Sequence, residues 1–336
     1  MDSSSLQAGG LELGAMAAED VRLMTKVARL YHEQGVRQPE IAERLSISQP
    51  RVSRLLKKAV EVGIVRTTVV TPRGVYAELE ERVENLFGLR ELVVADTADL
   101  DDERTIAPAL GAVGASYLET TLIGGERIGI SSWSSMLLTT VESMRPRHGS
   151  VAEQVVQVLG GSGEASAQAH ATRLTGRLAQ LTGAAPVYLP APGLVAASAT
   201  RQALVDDGAI ATALHACEQL SVLLAGIGSL TPSPLLQASG NAIGETEQAE
   251  LRALGAVGDV CLRFFDAAGE PVRSSLDDRV VGIQAETLRR IPRRIGVAGG
   301  SRKHQAIRAA LRGGWINVLI TDNQTARYLA ENPGWR

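Results

Sequence analysis

Aromatic residues make up only 3% of this 336-residue chain, and cysteine is scarcer still, at two: Cys217 and Cys261. Two thiols far apart in sequence, each in an apolar context, exclude a disulfide framework and a cysteine-rich zinc site. Both are expected to be buried free thiols. The five histidines, His32, His148, His170, His215 and His304, share no metal-ligand spacing, so no metal site is expected. No apolar run reaches about 18 residues, so no membrane span is expected. The opening MDSSSLQAGGLELGAMAAED has no basic stretch followed by an apolar one and does not read as a secretory signal. Residues 1–18 are expected to be a loose tail, and the protein to be cytoplasmic. GGSGEAS lacks the Lys of a phosphate loop and GIGSLTP lacks the third Gly of a dinucleotide loop, so no cofactor is expected.

What is present is enough chain for two domains and an uneven charge. The net charge is −3. Between Glu19 and Arg73 stand eleven Lys/Arg and six Asp/Glu, a local +5, which leaves −8 for the rest. A small basic domain joined to a larger acidic one suggests that only the first meets a polyanion.

Three helices are expected in the basic segment. The first runs over DVRLMTKVARLYHE, with Asp20 as N-cap, Val21, Met24, Val27, Ala28 and Tyr31 inward, and Gly35 ending it. The second runs from Gln38 to Leu45 with Pro39 early, and Ile41, Ala42 and Leu45 inward. The turn SISQP follows, with Ser46 and Ser48 able to cap and Ile47 able to plug the gap between helices. The third runs from Gln49 to Val62 and is closed by Gly63. It turns Val52, Leu55, Leu56 and Ala59 inward and leaves Ser48, Gln49, Arg51, Ser53, Arg54, Lys57 and Lys58 outward. In a helix-turn-helix such a second helix enters the major groove of double-stranded DNA. Gln49 and Arg51 suit base edges, whereas Arg54, Lys57 and Lys58 suit phosphates. IVRTTVVTP alternates enough for a short strand, a candidate wing. The expected DNA-binding domain is 19–73.

From Tyr76 an acidic amphipathic helix leads into apolar runs separated by helical stretches: ELVVAD, RIGISS, VVQVLGG, PVYLPAP, SVLLAGIGS, RIGVAGG and NVLITD. Helices are expected at 103–121, 165–181 and 303–312. This alternation predicts a doubly wound, mainly parallel α/β domain over 74–336. Several strands end in Gly or Ser, at Ser131-Ser132, Gly160-Gly161-Ser162-Gly163, Gly226-Ile227-Gly228-Ser229 and Gly299-Gly300-Ser301. Ligands bind outside the carboxyl ends of such strands, so a pocket for a polar small molecule is expected there. Asp259, Lys303 and Asp322 are the polar groups nearest these loops; Asp322 reads better as a helix N-cap.

The stretch VARLYHEQGVRQPEIAERLSISQPRVSRLLKKAVEVGIV resembles the opening of the SorC family of transcription regulators. So do, in order, IGISSWSSML, VVQVLGG, VYLPAPGLV, LLAGIGS, GAVGDVCLRFFDAAG and VAGGSRKHQAIRAALRGGWINVLITDNQTARYL. The resemblance spans Met24 to Ala330. It implies a sugar-phosphate isomerase-like effector domain, a sugar, sugar-phosphate or polyol effector, a homodimer or homotetramer, and repression or activation of a carbohydrate operon. It implies effector contacts at Ser132, Trp133, Ser134, Ser135, Gly160, Gly161, Gly163, Asp259 and Lys303, to which the glycine-ended strands add Gly226, Gly228, Gly299 and Gly300. Met136 stands near a position where relatives often carry a phosphate-binding Thr, so Ser134 or Ser135 would substitute. No Lys or Arg lies between Arg201 and Arg252, which leaves an unphosphorylated effector open. The other reading is an enzyme of the sugar-phosphate isomerase or deaminase type with Asp259 as general base.

Overall fold

A computed structural model describes residues 18–65, 74–131, 133–146, 149–161, 165–231 and 243–334, with backbone alone over 165–171. The chain divides into two compact units, residues 1–71 and 72–336. The tail expected at 1–18 falls outside the described residues except for its last position, as does most of the candidate wing.

Among its described residues the first unit has three helices: α1 (Ala18–His32), α2 (Gln38–Arg44) and α3 (Gln49–Glu61). Its core joins Val27, Leu30, Ile41, Ala42, Val52 and Leu56, continued by Met24, Ala28, Ala59 and Val62. The inward stripe of α1 includes Leu30 rather than Tyr31, which is exposed. Asp20 lies in the first turn of α1 instead of capping it, a position where its charge still suits the helix dipole. Pro39 and Pro50 both sit in the first turns of their helices, where a missing N–H leaves nothing unsatisfied. Ile47 packs against the core from the turn between α2 and α3, and its N–H donates to Ala42 O at 2.9 Å. Ser46 does not cap: it takes the left-handed conformation, φ 51°, that reverses the chain there.

The second unit begins with α4 (Ala77–Phe87), β1 (Glu91–Ala95), α5 (Glu103–Thr121), β2 (Glu126–Ile130), α6 (Ser135–Ser143) and β3 (Ala152–Gln157). It continues with α7 (Ala165–Thr182), β4 (Ala185–Val187), α8 (Ser198–Val205), α9 (Gly208–Ala216), β5 (Val222–Ala225) and β6 (Gly228–Ser229). Next come α10 (Glu245–Ala253), β7 (Ala256–Val260), β8 (Arg263–Asp266), α11 (Ala285–Arg290) and β9 (Arg293–Val297). It closes with α12 (His304–Arg312), β10 (Val318–Asp322) and α13 (Asn323–Glu331). Seven parallel strands form one sheet in the order β1-β10-β9-β5-β2-β3-β4. This is the doubly wound α/β domain that the alternating runs predict.

The middle and carboxyl ends of the inner strands are mostly apolar because both faces are covered there. Val222 and Leu224 turn to one core with Ile128, Ile295 and Ile320. Leu223 and Ala225 turn to the other with Val156, Leu319 and the inner faces of α12 and α13. The chain runs outward from β2 through β3 to β4, then returns to β5 on the other side of β2 and proceeds to β9 and β10. The β2/β5 junction is therefore a switch point, where successive crossovers diverge and leave a crevice at the carboxyl ends.

A second sheet, β6-β7-β8, is antiparallel, and the alternating reading did not anticipate it. Its β7–β8 turn is the two-residue loop Cys261-Leu262, both at positive φ (56° and 59°). A type I′ turn demands that conformation and normally recruits Asn or Gly. The cost is partly offset by the Leu262 N–H, which donates to Asp259 Oδ2 at 2.9 Å. Both cysteines are free and buried.

Candidate functional site

A cleft of about 590 Å³, counting its open mouth, lies at the switch point. Ser131, Trp133, Ser134 and Ser135 reach it from the end of β2 and the start of α6. Gly226 to Ser229 and Thr231 reach it from the end of β5, and Asp259, Cys261 and Leu262 from the β7–β8 hairpin. Arg302 and Lys303 come from a single 3-10 turn, Ser301–Lys303, after β9. Glu103, the first residue of α5, and Leu159 complete it.

Local structure accounts for each placement. Ser134 is the N-cap of α6, and its Oγ accepts from Leu137 N at 3.3 Å. Gly228 pairs with Asp259 across the antiparallel ladder. A Cβ on Gly228 would stand 2.0 Å from Asp259 Oδ1, and one on Gly226 would stand 2.8 Å from Ser134 Oγ. Glycine in this loop therefore makes room for cleft side chains.

The charges are coupled. Lys303 Nζ donates to Glu103 Oε1 at 2.8 Å, and Arg302 Nη2 to Glu103 Oε2 at 2.6 Å. Arg302 Nη1 also donates to Ser229 Oγ at 2.9 Å. Burial opposes ionisation of Glu103, but Lys303 and Arg302 outweigh it and hold the carboxyl below its usual range. Asp259 is buried, and burial pushes its pKa up to about 6 against the downward pull of the Leu262 N–H and of Lys303. Burial pushes the Cys261 thiol up to about 12, so it is an unreactive wall residue.

Of the expected effector contacts, Trp133, Ser134, Ser135, Gly226, Gly228, Asp259 and Lys303 come together in this cleft. Ser132 and Gly163 lie outside the described residues. Gly160, Gly161, Gly299 and Gly300 are not among the residues that line it. The N–H groups of Gly160 and Gly161 are already donated to Val281 O and Ala191 O, and Gly160 O accepts from Trp133 Nε1 at 3.0 Å. This pair packs against the Trp133 indole, and a Cβ on Gly161 would stand 1.7 Å from it. Gly300 N–H is held by Asp322 Oδ2 at 2.9 Å, and Asp322 Oδ1 accepts from Thr325 N at 2.7 Å. Asp322 is thus the N-cap of α13 and also ties down the double-glycine turn, which aims Lys303. His304 stacks on Tyr328 and does not line the cleft.

Arg302, Ser229 and Glu103 line the cleft but are not among the expected effector contacts. The signal that could have found Arg302 is its adjacency to Lys303. Ser229 lay within a quoted loop. Glu103 gave no signal, since it is 200 residues from its partner.

In the other unit, Ser48, Gln49, Arg51, Ser53, Arg54 and Lys57 are exposed along α3. Lys58 is half-buried, and its Nζ lies 3.8 Å from Glu61 Oε2.

Residues 74–331 match the sugar-binding domain family. The deoxyribonucleoside regulator of Bacillus subtilis is 34% identical over 94% of this chain and 100% of its own length. The sorbitol operon regulator of Klebsiella pneumoniae is 32% identical over 93% of this chain and 98% of its own. The crystal structure of that full-length regulator, SorC, superposes with a TM-score of 0.69 at 30% identity, covering 93% of this chain and all of that one. With a sugar-binding domain over most of its length and full-length regulators as relatives, the chain belongs to the SorC family of transcription regulators.

Proposed function

We propose that the protein controls a carbohydrate or polyol operon, with α3 reading operator DNA and the switch-point cleft holding a sugar, sugar-phosphate or polyol effector. The division into a DNA-binding domain, residues 19–73, and an effector and assembly domain, residues 74–336, is part of this reading. Its main support is the convergence of Lys303, Asp259 and the serine hydroxyls on one cleft in a chain whose relatives regulate sorbitol and deoxyribonucleoside genes. Donors and acceptors of both kinds on a partly apolar wall suit a polyhydroxy ligand.

On α3, Gln49 and Arg51 meet base edges, and Arg54 and Lys57 meet phosphates. Lys58 contributes less, because Glu61 beside it offsets its charge. The protein acts as a homodimer or homotetramer, so two reading helices engage one operator. Effector binding favours one arrangement of the protomers over another and so changes DNA affinity. Asp259 accepts an effector hydroxyl, while Glu103, the other carboxylate among the described residues that line the cleft, is held by Lys303 and Arg302.

A gel-shift titration at low salt with the upstream region of the protein's own gene tests the DNA half. Thermal unfolding against free and phosphorylated sugars tests the effector half. Absence of any DNA-bound species would refute the regulator reading; turnover of a phosphosugar, lost in Asp259→Asn, would replace the sensor with an enzyme.

A further inference from the structure

Trp133 walls the cleft, but most of what holds it lies outside the lining; this inference rests on the reading that the effector binds there. The indole is 5% exposed, and its Nε1–H donates to Gly160 O at 3.0 Å. The Gly160 N–H donates in turn to Val281 O at 3.1 Å. Val281 belongs to a strap, residues 271–284, which joins β8 to α11 and forms neither helix nor named strand. A Leu159–Gly282 bridge, and the Ile283 N–H donated to Val158 O at 2.8 Å, lay the strap along the residues that follow β3. Its Val272, Leu276 and Val280 share one apolar cluster with Trp133 and Leu159. The strap thus reaches the indole by two routes, a hydrogen-bonded relay and common packing.

A buried segment of irregular backbone must find donors for its carbonyls. Arg263 supplies two. Its Nε donates to Ile283 O at 2.9 Å and its Nη1 to Asp277 O at 3.3 Å. Nη1 also lies 3.5 Å from Asp277 Oδ1. Arg263 is only 2% exposed, and a charge so buried is costly unless it is paired and hydrogen-bonded. Here those partners all come from the strap. Arg263 does not line the cleft, but it opens β8 directly after Cys261 and Leu262, which do. The same hairpin carries Asp259 on β7. One buried cation therefore joins the hairpin that presents Asp259 to the strap that backs Trp133.

We propose that Arg263 is a positioning residue for the effector: by anchoring the strap to the β7–β8 hairpin it fixes the Trp133 wall of the cleft, without touching the ligand.

The test is hydrogen exchange at the tryptophan indoles, read from proton–nitrogen correlation spectra of the full chain without ligand. Trp133→Phe assigns the Trp133 signal. Trp315 is the reference within the same unit, since its Nε1–H donates to Gly269 O at 2.8 Å, outside the strap. Arg263→Lys keeps the charge but puts a carbon where Nε stands, so the bond to Ile283 O is lost. The Trp133 indole N–H should then exchange about tenfold faster or more, with Trp315 within about twofold of wild type. Gly282→Ala should have the same selective effect with Arg263 in place, because its Cβ would stand 2.9 Å from Leu159 Cδ1 and from Val158 O. Arg263→Met, which carries no charge to bury, replaces the Lys variant if that does not fold. Equal acceleration of both indoles makes Arg263 a general support of the unit and overturns the proposal. An unchanged Trp133 in either the Arg263 or the Gly282 variant overturns it as well. No ligand takes part, so these outcomes are independent of the effector reading, which fails instead if sugar and polyol binding does not depend on Lys303.

Discussion

Glu103 Oε1 and Lys303 Nζ lie 2.8 Å apart although 200 residues separate them in the chain. The pair ties the helix that follows β1 to the turn that follows β9, two strands kept apart in the sheet by β10. Both groups line the cleft, so a ligand bound there would contact two separate elements of the second unit.

Lys303→Ala should abolish the effector response and leave DNA binding intact. Loss of a charged hydrogen-bond partner weakens ligand binding by about 1.5–3 kcal/mol, or roughly 10- to 150-fold. Calorimetric titration of the effector, with a gel shift of the same preparation, measures both halves.

Gly228→Ala should damage the cleft through Asp259. The added methyl would stand 2.0 Å from Asp259 Oδ1, so the carboxylate must move. The expected result is a stability loss of about 1–3 kcal/mol in chemical denaturation and a weaker effector response. A variant of wild-type stability that binds effector normally would show that the loop yields without disturbing Asp259.

Asp259 should leave a signature in the pH dependence of stability. Its carboxyl titrates at about 6 in the folded protein against an ordinary 3.8. The folded state thus holds its proton more tightly, and stability falls as pH rises from about 4 to about 6. Asp259→Asn removes that contribution. Relative to wild type, the variant should gain about 2 kcal/mol between pH 4.5 and pH 7.5, measured by urea midpoints. An unchanged difference across that range would place the titration elsewhere.

On α3, Lys57→Ala should weaken binding to all DNA sequences alike and reduce the salt slope by about one unit. Lys58→Ala should do less, because Glu61 already faces that ammonium. Arg51→Ala should instead relax preference at particular base pairs. Affinity measured at several salt concentrations on operator and random DNA separates these roles; a Lys57→Ala loss confined to the operator would contradict the division.

Much of this was legible in the sequence because it is periodic or local. Helix α5 was expected at 103–121 and occupies those residues, since Asp102 caps it and its apolar stripe is regular. The seven parallel strands announced themselves as apolar runs, because burial on both faces leaves no polar alternation. The β6-β7-β8 sheet did not. Its β7–β8 turn uses Cys261 and Leu262 in left-handed backbone, where the usual signal would be Asn or Gly, and Asp259 supplies the compensation through space. The glycine-rich loops take several different roles. Gly160-Gly161 and Gly299-Gly300 look like ligand loops, but they do not line the cleft, and the N–H groups of Gly160, Gly161 and Gly300 are engaged by carbonyls and by Asp322. They shape the cleft by positioning Trp133 and Lys303. Glu103 lay beyond sequence reasoning altogether, because its role comes from a contact between distant segments.

The central claim is that the cleft and the DNA-reading helix are thermodynamically coupled, and operator affinity with and without saturating effector tests it most directly. Wild type should change its operator affinity by about 5- to 150-fold on effector addition, with a reciprocal change in effector affinity on DNA, and Lys303→Ala should show neither. Equal operator affinity in wild type with and without bound effector would contradict the account.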